Sequence, residues 1–194
     1  MKLSGKRIAM PVSNEFEDTE LIYPLLRFSE EGAWITVGTF HASFSARPYV
    51  LNKPITGRFG TPVPFVILAE GKRYDIKPAA ELDAKDYDAV IIPGGFSPDI
   101  LRREPRVLAF IKAMHDAGKP IAAICHAPWL VISAGVARGR NMTCFLSLKD
   151  DLTNAGAIYH DEAVVVDGNI ITSRMPDDLP DFCRALIDMM AAKK

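Results

Sequence analysis

One nine-residue segment, 120–128, constrains the fold more strongly than any other part of the chain. Its first five residues form an apolar run that leads into Cys125, and Ala123 and Ala127 lie two positions on either side of that cysteine. Small neighbours around a nucleophilic side chain are typical of a nucleophile elbow, a tight strand-to-helix turn from which the nucleophile projects clear of the sheet. The segment therefore predicts a buried strand, a turn at Cys125 and a helix that follows at once over residues 126–134.

This turn would place Cys125 where a cysteine can react. At the N-terminus of a helix, the helix dipole stabilises a thiolate and lowers the pKa of the thiol. The carboxyl end of a strand is also where open α/β sheets bind their ligands. A cysteine considered alone is more often a buried packing thiol. The adjoining His126, which can accept a proton, and the small neighbours favour a catalytic role.

Short apolar runs alternate with longer amphipathic segments along most of the 194-residue chain. This alternation predicts an α/β fold with a mostly parallel sheet and helices on both faces. The length fits a single domain over residues 1–194. Strands are predicted over residues 7–12, 33–40, 88–92 and 120–124, helices over 16–31, 106–117 and 180–192, and a hairpin over 163–166 and 170–173.

Residues 41–85 interrupt this alternation. The segment is rich in proline and glycine, and it contains an apolar run at 63–68, a polar turn at 70–73 and a second short stretch at 74–76. Two short strands around a polar turn predict a β-hairpin, and the segment is too short to build a core of its own. We therefore expect a hairpin insertion within one domain.

Charge and cysteine content narrow the expected partners and compartment. The formal net charge is -1 without a long basic run, so neither nucleic acid nor an anionic membrane is expected as a partner. The sequence contains neither the apolar segment of a signal peptide nor the roughly 20 apolar residues of a membrane span. Its three cysteines include no CxxC pair, so no disulfide framework and no metal site are predicted. We expect a cytoplasmic protein with reduced thiols.

Two other segments carry backbone N–H donors and acidic side chains that could take part in a reaction at Cys125. Gly94 and Gly95 follow a predicted strand, and their small size would let backbone N–H groups approach a reacting carbonyl, as an oxyanion hole requires. Glu17 and Glu20 are three residues apart at the start of a helix and share one face. Acidic residues in a first turn are usually partners of the helix dipole. These two would belong to the site only if the first strand lies beside the cysteine strand.

These segments together resemble the PfpI intracellular-protease family, which belongs to the superfamily of the parkinsonism-associated deglycase and the class I glutamine amidotransferases. The resemblance is carried by residues 14–24, 56–60, 92–95, 123–126, 132–135, 149–151, 154–156 and 165–169. It implies a flavodoxin-like three-layer sandwich that assembles as dimers or hexamers and needs no cofactor. It also implies that Cys125 is the nucleophile and His126 the base.

The resemblance assigns roles to further residues. Asp99 falls at the position of an acidic residue that reaches the histidine from a neighbouring subunit, where the family commonly carries the longer glutamate. Glu20 matches a pocket carboxylate that hydrogen-bonds the cysteine, and Glu17 lies one turn before it in the same site. Arg58, counted with the substrate-binding residues, stands where lysine is familiar. Phe145 falls where a tyrosine is often found, so a hydroxyl donor is missing from that position.

A second histidine motif, at residues 160–162, has the His-x-Glu form found in glutamine amidotransferases. In those proteins it lies much farther beyond the cysteine, whereas here it follows Cys125 closely and precedes a predicted hairpin strand. We therefore expect His160 to be a surface residue. Cys144 and Cys183 are expected to be packing thiols.

The leading hypothesis is a thiol enzyme that acts on small reactive carbonyls, as a glutathione-independent glyoxalase or a protein deglycase. One alternative is an intracellular cysteine peptidase, in which Cys125 forms an acyl-enzyme. Another is a redox-sensing stress chaperone, in which Cys125 is oxidised rather than turning over substrate. The expected partners are a small aldehyde, or a glycated or peptide substrate, and further copies of the chain, with Asp99 contributed across an interface.

Overall fold

The computed structural model describes residues 1–43, 53–63 and 74–192. Its strands, in chain order, are β1 (Arg7–Val12), β2 (Trp34–Thr39), β3 (Tyr74–Pro78), β4 (Ala89–Ile92), β5 (Ile121–Ile124), β6 (Asn141–Met142), β7 (Ile158–Tyr159), β8 (Val164–Asp167) and β9 (Ile170–Ser173). A seven-stranded sheet runs in the order β3-β2-β1-β4-β5-β9-β8, and β6 pairs with β7 in a separate two-stranded sheet. In the large sheet, neighbouring strands are parallel except for the antiparallel hairpin of β8 and β9.

Helices cover both faces of this sheet. They are α1 (Asp18–Glu30), α2 (Ser97–Leu101), α3 (Pro105–Asp116), α4 (Pro128–Ser133), α5 (Lys149–Asn154) and α6 (Leu179–Ala192). The buried residues of α1 and α6 join one hydrophobic core, and those of α3, α4 and α5 join another on the opposite face. This arrangement is a flavodoxin-like α/β sandwich with a mostly parallel central sheet, which confirms the predicted fold class.

The central strands are apolar along their whole length because both of their faces are buried. In β4, Ala89 and Ile91 pack into the core that contains α1, whereas Val90 and Ile92 pack into the other core. Successive side chains of a strand point to opposite faces, so a strand covered on both sides reads as an unbroken apolar run. Each fully buried valine or isoleucine of this kind contributes about 1.5–3 kcal/mol to folding.

The helix after the cysteine begins later than the sequence predicts. It was expected from residue 126, but α4 begins at Pro128. Cys125 has a backbone φ of 62°, which is left-handed and incompatible with a helix, and the N–H of Ala127 closes a turn on the carbonyl of Ile124 at 2.9 Å. Pro128 then starts the helix, where its fixed φ and missing N–H are no disadvantage. Cys125 is therefore separated from the helix by a turn.

The segment predicted as a hairpin insertion contributes to the central sheet. Its end, Tyr74–Pro78, pairs in parallel with β2 as the edge strand β3, whereas the sequence predicted it as one arm of the insertion. The other predicted arm, at 63–68, lies almost entirely outside the described residues. A smaller hairpin is present at 55–63, where the N–H of Val63 donates to the carbonyl of Ile55 at 2.8 Å.

Within residues 1–43, 53–63 and 74–192, no helix is both long enough and apolar enough to cross a membrane. The same residues contain no group of three or more histidine, cysteine, aspartate or glutamate side chains that could hold a metal ion.

Candidate active site

Cys125 occupies a strained turn at the carboxyl end of β5. Its φ of 62° is rare for a residue with a side chain, and such a backbone costs on the order of 1–3 kcal/mol. Hydrogen bonds on both sides hold the turn: the Cys125 N–H donates to Ser173 O at 3.0 Å, and the Cys125 carbonyl accepts from Phe145 N–H at 3.0 Å. The side chain lines a cavity while remaining only 7% exposed. The backbone has the geometry of a nucleophile elbow.

Gly94 lets three elements meet at the sulfur. β1 does not pair with β5, because β4 lies between them. A Cβ atom at Gly94 would lie 2.7 Å from the Cβ of Cys125 and 2.7 Å from Oε2 of Glu20. Since glycine has no Cβ, the carboxyl group from α1 reaches the cysteine across the end of β4. The condition that the first strand should neighbour the cysteine strand was therefore too strict.

Two backbone donors face the sulfur. The N–H groups of Gly95 and His126 face the Cys125 side chain and favour its charged form, which acts to lower the pKa of the thiol. Gly95 has a φ of 70°, which a residue with a Cβ rarely adopts, and its position against the loop before α1 leaves no room for one. A tetrahedral adduct on the sulfur would form its oxyanion close to these donors.

Glu20 is the buried acid of the site. Its side chain is fully buried, and Oε2 accepts a hydrogen bond from the N–H of Gly94 at 2.6 Å. Among the described residues, Oε1 has no partner of ordinary hydrogen-bond geometry, and the thiol of Cys125 is the neighbour with which the carboxyl interacts. Burial raises the pKa of Glu20 to about 8, and the charge of Glu17 adds to the increase. At neutral pH Glu20 is therefore mostly protonated.

The pKa of Cys125 differs from the expectation based on a helix N-terminus. Burial raises it above the ordinary value, a Glu20 carboxylate would raise it further, and the N–H groups of Gly95 and His126 oppose the increase. A lowered pKa was predicted because a helix was expected to begin at His126, whereas α4 begins only at Pro128. Because Glu20 keeps its proton below a pH of about 8, its repulsion of a thiolate is absent at neutral pH. Glu20 and Cys125 therefore titrate together, and both are protonated at neutral pH.

His126 is placed to accept the thiol proton. Its Nδ1 lies 3.2 Å from the Sγ of Cys125. The imidazole stacks on Phe145, with ring centroids 5.2 Å apart and planes at 24°, and meets the ring of Trp129 edge to face at 5.4 Å. Burial, followed by the positive charge of Arg58, lowers the pKa of His126. A neutral imidazole at pH 7 can act as a base.

Arg58 and Glu17 form an ion pair at the cavity wall. Glu17, the residue that precedes α1, is buried, and its Oε2 accepts a hydrogen bond from Arg58 Nη1 at 3.0 Å. Its Oε1 accepts from the hydroxyl of Thr19 at 3.3 Å. The guanidinium also lies over the ring of Phe59, 4.9 Å from its centroid. The pair gives the buried Glu17 carboxylate a partner and brings one positive charge near His126.

Asp18 is an important residue that the sequence reasoning missed. Its buried carboxylate accepts hydrogen bonds from the N–H groups of Phe59 at 2.9 Å and Thr61 at 3.1 Å. Gly57 packs so closely against this carboxylate that a Cβ there would lie 2.5 Å from its carboxyl carbon. Asp18 thereby fixes the 55–63 hairpin that carries Arg58. The neighbouring acids in the sequence gave no sign that this one faces a distant loop.

These groups surround one open cleft of about 470 Å³. Its lining residues are Glu15, Glu17, Arg58, Gly95, Phe96, Cys125, His126, Trp129, Phe145 and Pro176. Gly94 and Glu20 lie directly behind the sulfur. The structure thus brings together the predicted site residues apart from Asp99, which lies in α2 and is absent from the described lining of the cleft.

The histidine and the two cysteines that the sequence analysis excluded from the site are absent from the described lining of the cleft. His160 is only partly buried and hydrogen-bonds the side chain of Asn141 through Nε2 at 2.8 Å. Cys144 and Cys183 are buried, and burial raises the pKa of each to about 12. Each of these cysteines packs in a hydrophobic core, which fits the expected packing role.

The fold and site define a class: α/β proteins with a cysteine elbow at the carboxyl edge of a mostly parallel sheet. Within that class, the chain belongs to the DJ-1/PfpI family, whose model matches residues 6–189.

Several relatives match over nearly their whole length. Deglycase PfpI of Pyrococcus furiosus is 35% identical over 178 residues, covering 92% of this chain and 95% of that protein. Protein/nucleic acid deglycase 2 of Escherichia coli is 36% identical, with coverage of 97% and 99%. A Bacillus subtilis protein named "Putative cysteine protease YraA" is 38% identical, with coverage of 96% and 99%. These names indicate an enzyme of the DJ-1/PfpI family.

Solved structures share the fold. A two-domain protein of Anabaena variabilis with DJ-1/ThiJ/PfpI-like and ferritin-like domains superposes with a TM-score of 0.81 at 34% identity, covering 95% of this chain and 48% of that longer one. Drosophila melanogaster DJ-1beta superposes with a TM-score of 0.70 at 27% identity, covering 97% and 91%.

Proposed function

We propose that this chain is a cysteine-dependent enzyme for reactive carbonyls, acting as a glutathione-independent glyoxalase and as a deglycase of early adducts. One observation carries the proposal: the Sγ of Cys125 has a base at 3.2 Å, a buried acid with a pKa of about 8, and two backbone donors around it. A base, a protonated acid and two N–H donors suit a reaction in which the sulfur bonds to a carbon atom and protons then move between neighbouring atoms. Two relatives named as deglycases support the deglycase part of this proposal.

The first step is addition of the sulfur to an aldehyde such as that of methylglyoxal. As the carbon–sulfur bond forms, the thiol proton passes to Nδ1 of His126 and the carbonyl π pair becomes an oxyanion. The N–H groups of Gly95 and His126 would stabilise that oxyanion, at about 3–4 kcal/mol for each well-aligned donor. Return of the proton from the imidazolium to the oxygen gives a neutral hemithioacetal. Because the thiol is ionised only as it reacts, a raised resting pKa is compatible with this step.

The second step is an internal proton transfer. A base, either His126 or the ionised form of Glu20, removes the proton from the sulfur-bearing carbon, and the neighbouring ketone accepts a proton to become an enediol. Protonation of the second carbon, with loss of the proton from the hydroxyl on the sulfur-bearing carbon, leaves a thioester of lactate on Cys125. Water then hydrolyses the thioester and restores the thiol, so methylglyoxal and water give lactate without an external oxidant or reductant.

An early glycation adduct can enter the same sequence. In a hemiaminal, the sulfur displaces the amine from the carbon that carries the hydroxyl, and the amine leaves with a proton supplied by His126. The product on the enzyme is the same hemithioacetal. A cleft of about 470 Å³ is much larger than a three-carbon aldehyde requires, so it has room for part of the side chain that carries the adduct.

Lactate production tests this proposal directly. The protein is incubated with methylglyoxal in the absence of glutathione, and lactate is measured for the wild type, Cys125→Ser and Cys144→Ser. We expect turnover by the wild type and by Cys144→Ser, whose sulfur is a packing thiol, and none above background for Cys125→Ser. Equal lactate formation by wild type and Cys125→Ser would reject the proposal.

A cysteine peptidase is the second candidate, favoured by the relative named as a protease. In that reaction Cys125 would form an acyl-enzyme and His126 would protonate the leaving amine. Release of a fluorophore from short peptides by the wild type, but not by Cys125→Ser, would support it. A stress chaperone without turnover would instead suppress aggregation of a client equally well in both forms.

We also propose that a second copy of the chain completes the site through Asp99. This residue is half-buried in α2, and the described neighbours of the His126 ring are Cys125, Trp129 and Phe145. Inactive Cys125→Ser and weakened Asp99→Ala chains are mixed, dissociated and reassembled. Recovery of activity is expected, because the cysteine of one chain would then meet Asp99 of the other. If the mixture shows only the sum of the activities of the two separate variants, the proposal that two chains share each active site is refuted.

A further inference from the structure

Trp129 is restrained from several directions, although its side chain is only partly buried. Its indole Nε1–H donates to Oδ2 of Asp151 at 3.1 Å, and the guanidinium of Arg102 lies 5.6 Å from its ring centroid. Arg102 is itself held by a hydrogen bond from Nε to the hydroxyl of Ser133 at 3.0 Å. These contacts tie together α4, α5 and the end of α2 around one indole.

The restrained indole is in contact with the catalytic base. The ring of His126 meets Trp129 edge to face at 5.4 Å and stacks on Phe145 at 5.2 Å. Together these rings leave the imidazole little freedom to rotate away from the sulfur. Edge-to-face and stacked pairs are each worth about 0.5–1.5 kcal/mol beyond their buried area, which is enough to bias a side-chain rotamer. In the described part of the chain, two aromatic contacts therefore restrain His126 in addition to the 3.2 Å contact between its Nδ1 and the Sγ of Cys125.

We propose that Trp129 and Asp151 are positioning residues for His126: Asp151 fixes the indole through its N–H, and the indole fixes the imidazole with Nδ1 toward Cys125. The inference rests on the proposed use of His126 as a base. It concerns geometry within one chain and is separate from any contribution of Asp99 from a second copy. Trp129 also lines the cleft, whereas Asp151 is absent from its described lining, so Asp151 acts on His126 only through the indole.

The variants must distinguish an effect of charge on His126 from an effect on its position. Arg58 lies near His126, and Arg102 and Asp151 lie against Trp129, so the loss of Asp151 also removes a negative charge. Asp151→Asn removes the charge but keeps an oxygen that can accept the indole hydrogen bond. Asp151→Leu removes both the charge and the acceptor. Asp150→Leu, at the exposed neighbouring position in α5, serves as the matched control.

The experiment measures lactate formation from methylglyoxal and, independently, the rate at which iodoacetamide alkylates Cys125, followed by peptide mass. Since small displacements of a catalytic group can cost up to about 100-fold in rate, we expect roughly a tenfold loss of kcat in Asp151→Leu with KM within about twofold. The alkylation rate at neutral pH should fall in parallel. Asp151→Asn should recover most of both rates, and Asp150→Leu should match the wild type.

Trp129→Phe provides a second arm, because phenylalanine keeps a ring but lacks the N–H. It should resemble Asp151→Leu, and the double variant should be no slower than either single variant, since both remove the same hydrogen bond. Equal losses in Asp151→Asn and Asp151→Leu, or fully additive effects in the double variant, would overturn the inference. If the wild type forms no lactate but the alkylation pattern holds, the proposed function fails while the positioning role stands.

Discussion

The amide N–H of Gly94 donates to the carboxyl of Glu20 at 2.6 Å, so the buried acid of the site is held by the backbone of a neighbouring strand end. The absence of a side chain at Gly94 is what allows this contact, because a Cβ would intrude on both Glu20 and Cys125. The sulfur, the carboxyl and the oxyanion donors therefore depend on a single glycine.

Replacing Gly94 by alanine should disable the site. The new Cβ would lie 2.7 Å from the Cβ of Cys125 and from Oε2 of Glu20, so one of them must move. A shift of about 1 Å in such a group can cost about 100-fold, and we expect at least that loss in kcat/KM for lactate formation.

Gly118→Ala is the control for Gly94→Ala. Gly118 also has a left-handed φ, 65°, but open space surrounds it. Gly118→Ala should lose about 1–2 kcal/mol of stability, because alanine is strained at a left-handed φ, and it should keep full activity. Near-normal activity of Gly94→Ala would contradict the close packing described for the site.

Glu20→Gln should flatten the dependence of stability on pH. The folded pKa of about 8 exceeds the ordinary value of 4.5, so between these pH values the native state keeps a proton that the unfolded state has lost. Glu20 therefore favours the folded state most at a pH below about 4.5, where both states are protonated. The free energy of unfolding then falls as the pH rises from about 4.5 to about 8. The total change is roughly 5 kcal/mol at most.

Urea unfolding at pH 5 and pH 8.5 would measure the effect of Glu20→Gln. The wild type should lose more stability than Glu20→Gln over this range. Glu30→Gln, an exposed acid in the same helix, should behave as the wild type does. Identical slopes for all three proteins would show that Glu20 is already ionised at low pH.

Asp18→Asn should loosen the hairpin that presents Arg58. Aspartate accepts hydrogen bonds on both oxygens, from Phe59 and Thr61, whereas asparagine must turn an NH2 group toward one of those donors. We expect a loss of about 1–3 kcal/mol in urea unfolding. Asp188→Asn, which breaks an exposed ion pair with Lys2, should change stability by less than about 1 kcal/mol. A neutral effect of Asp18→Asn would mean that the hairpin does not depend on this carboxylate.

Arg58→Met should move the acidic limb of the rate profile to higher pH. Burial and the Arg58 charge both lower the pKa of His126, so removal of the charge lets that pKa rise toward its usual value. The imidazole would then remain protonated, and inactive as a base, up to a higher pH. The comparison is kcat/KM against pH for the variant and for Arg184→Met, an exposed arginine of α6. A limb that stays in place or moves down would contradict the assigned role of Arg58.

The sequence predicted the sandwich and the cysteine turn because both are local patterns. Apolar runs reveal buried strands, and small residues around Cys125 reveal a tight bend. The same local pattern placed the helix start too early, because a left-handed φ at Cys125 is a property of the folded turn and is not encoded by helix propensity. The expected lowering of the cysteine pKa also fails, because burial of the sulfur, a property of the folded site, raises that pKa.

The remaining differences concern contacts between distant segments. Asp18 looks like an ordinary helix-start acid until the 55–63 hairpin is placed against it. Tyr74–Pro78 looks like part of an insertion until its parallel pairing with β2 is seen. Trp129 and Asp151 are separated along the chain and meet only through the packing of α4 on α5. Single-sequence patterns carry no information on such pairings.

The most direct test follows activity and the modification of one sulfur together. The wild-type protein is alkylated progressively with iodoacetamide, and each sample is divided between peptide mass analysis and the assay for lactate from methylglyoxal. We predict that activity falls in proportion to the fraction of Cys125 alkylated and vanishes when that fraction is complete, while Cys144 and Cys183 remain unmodified. Lactate formation that persists after complete alkylation of Cys125 would contradict the account.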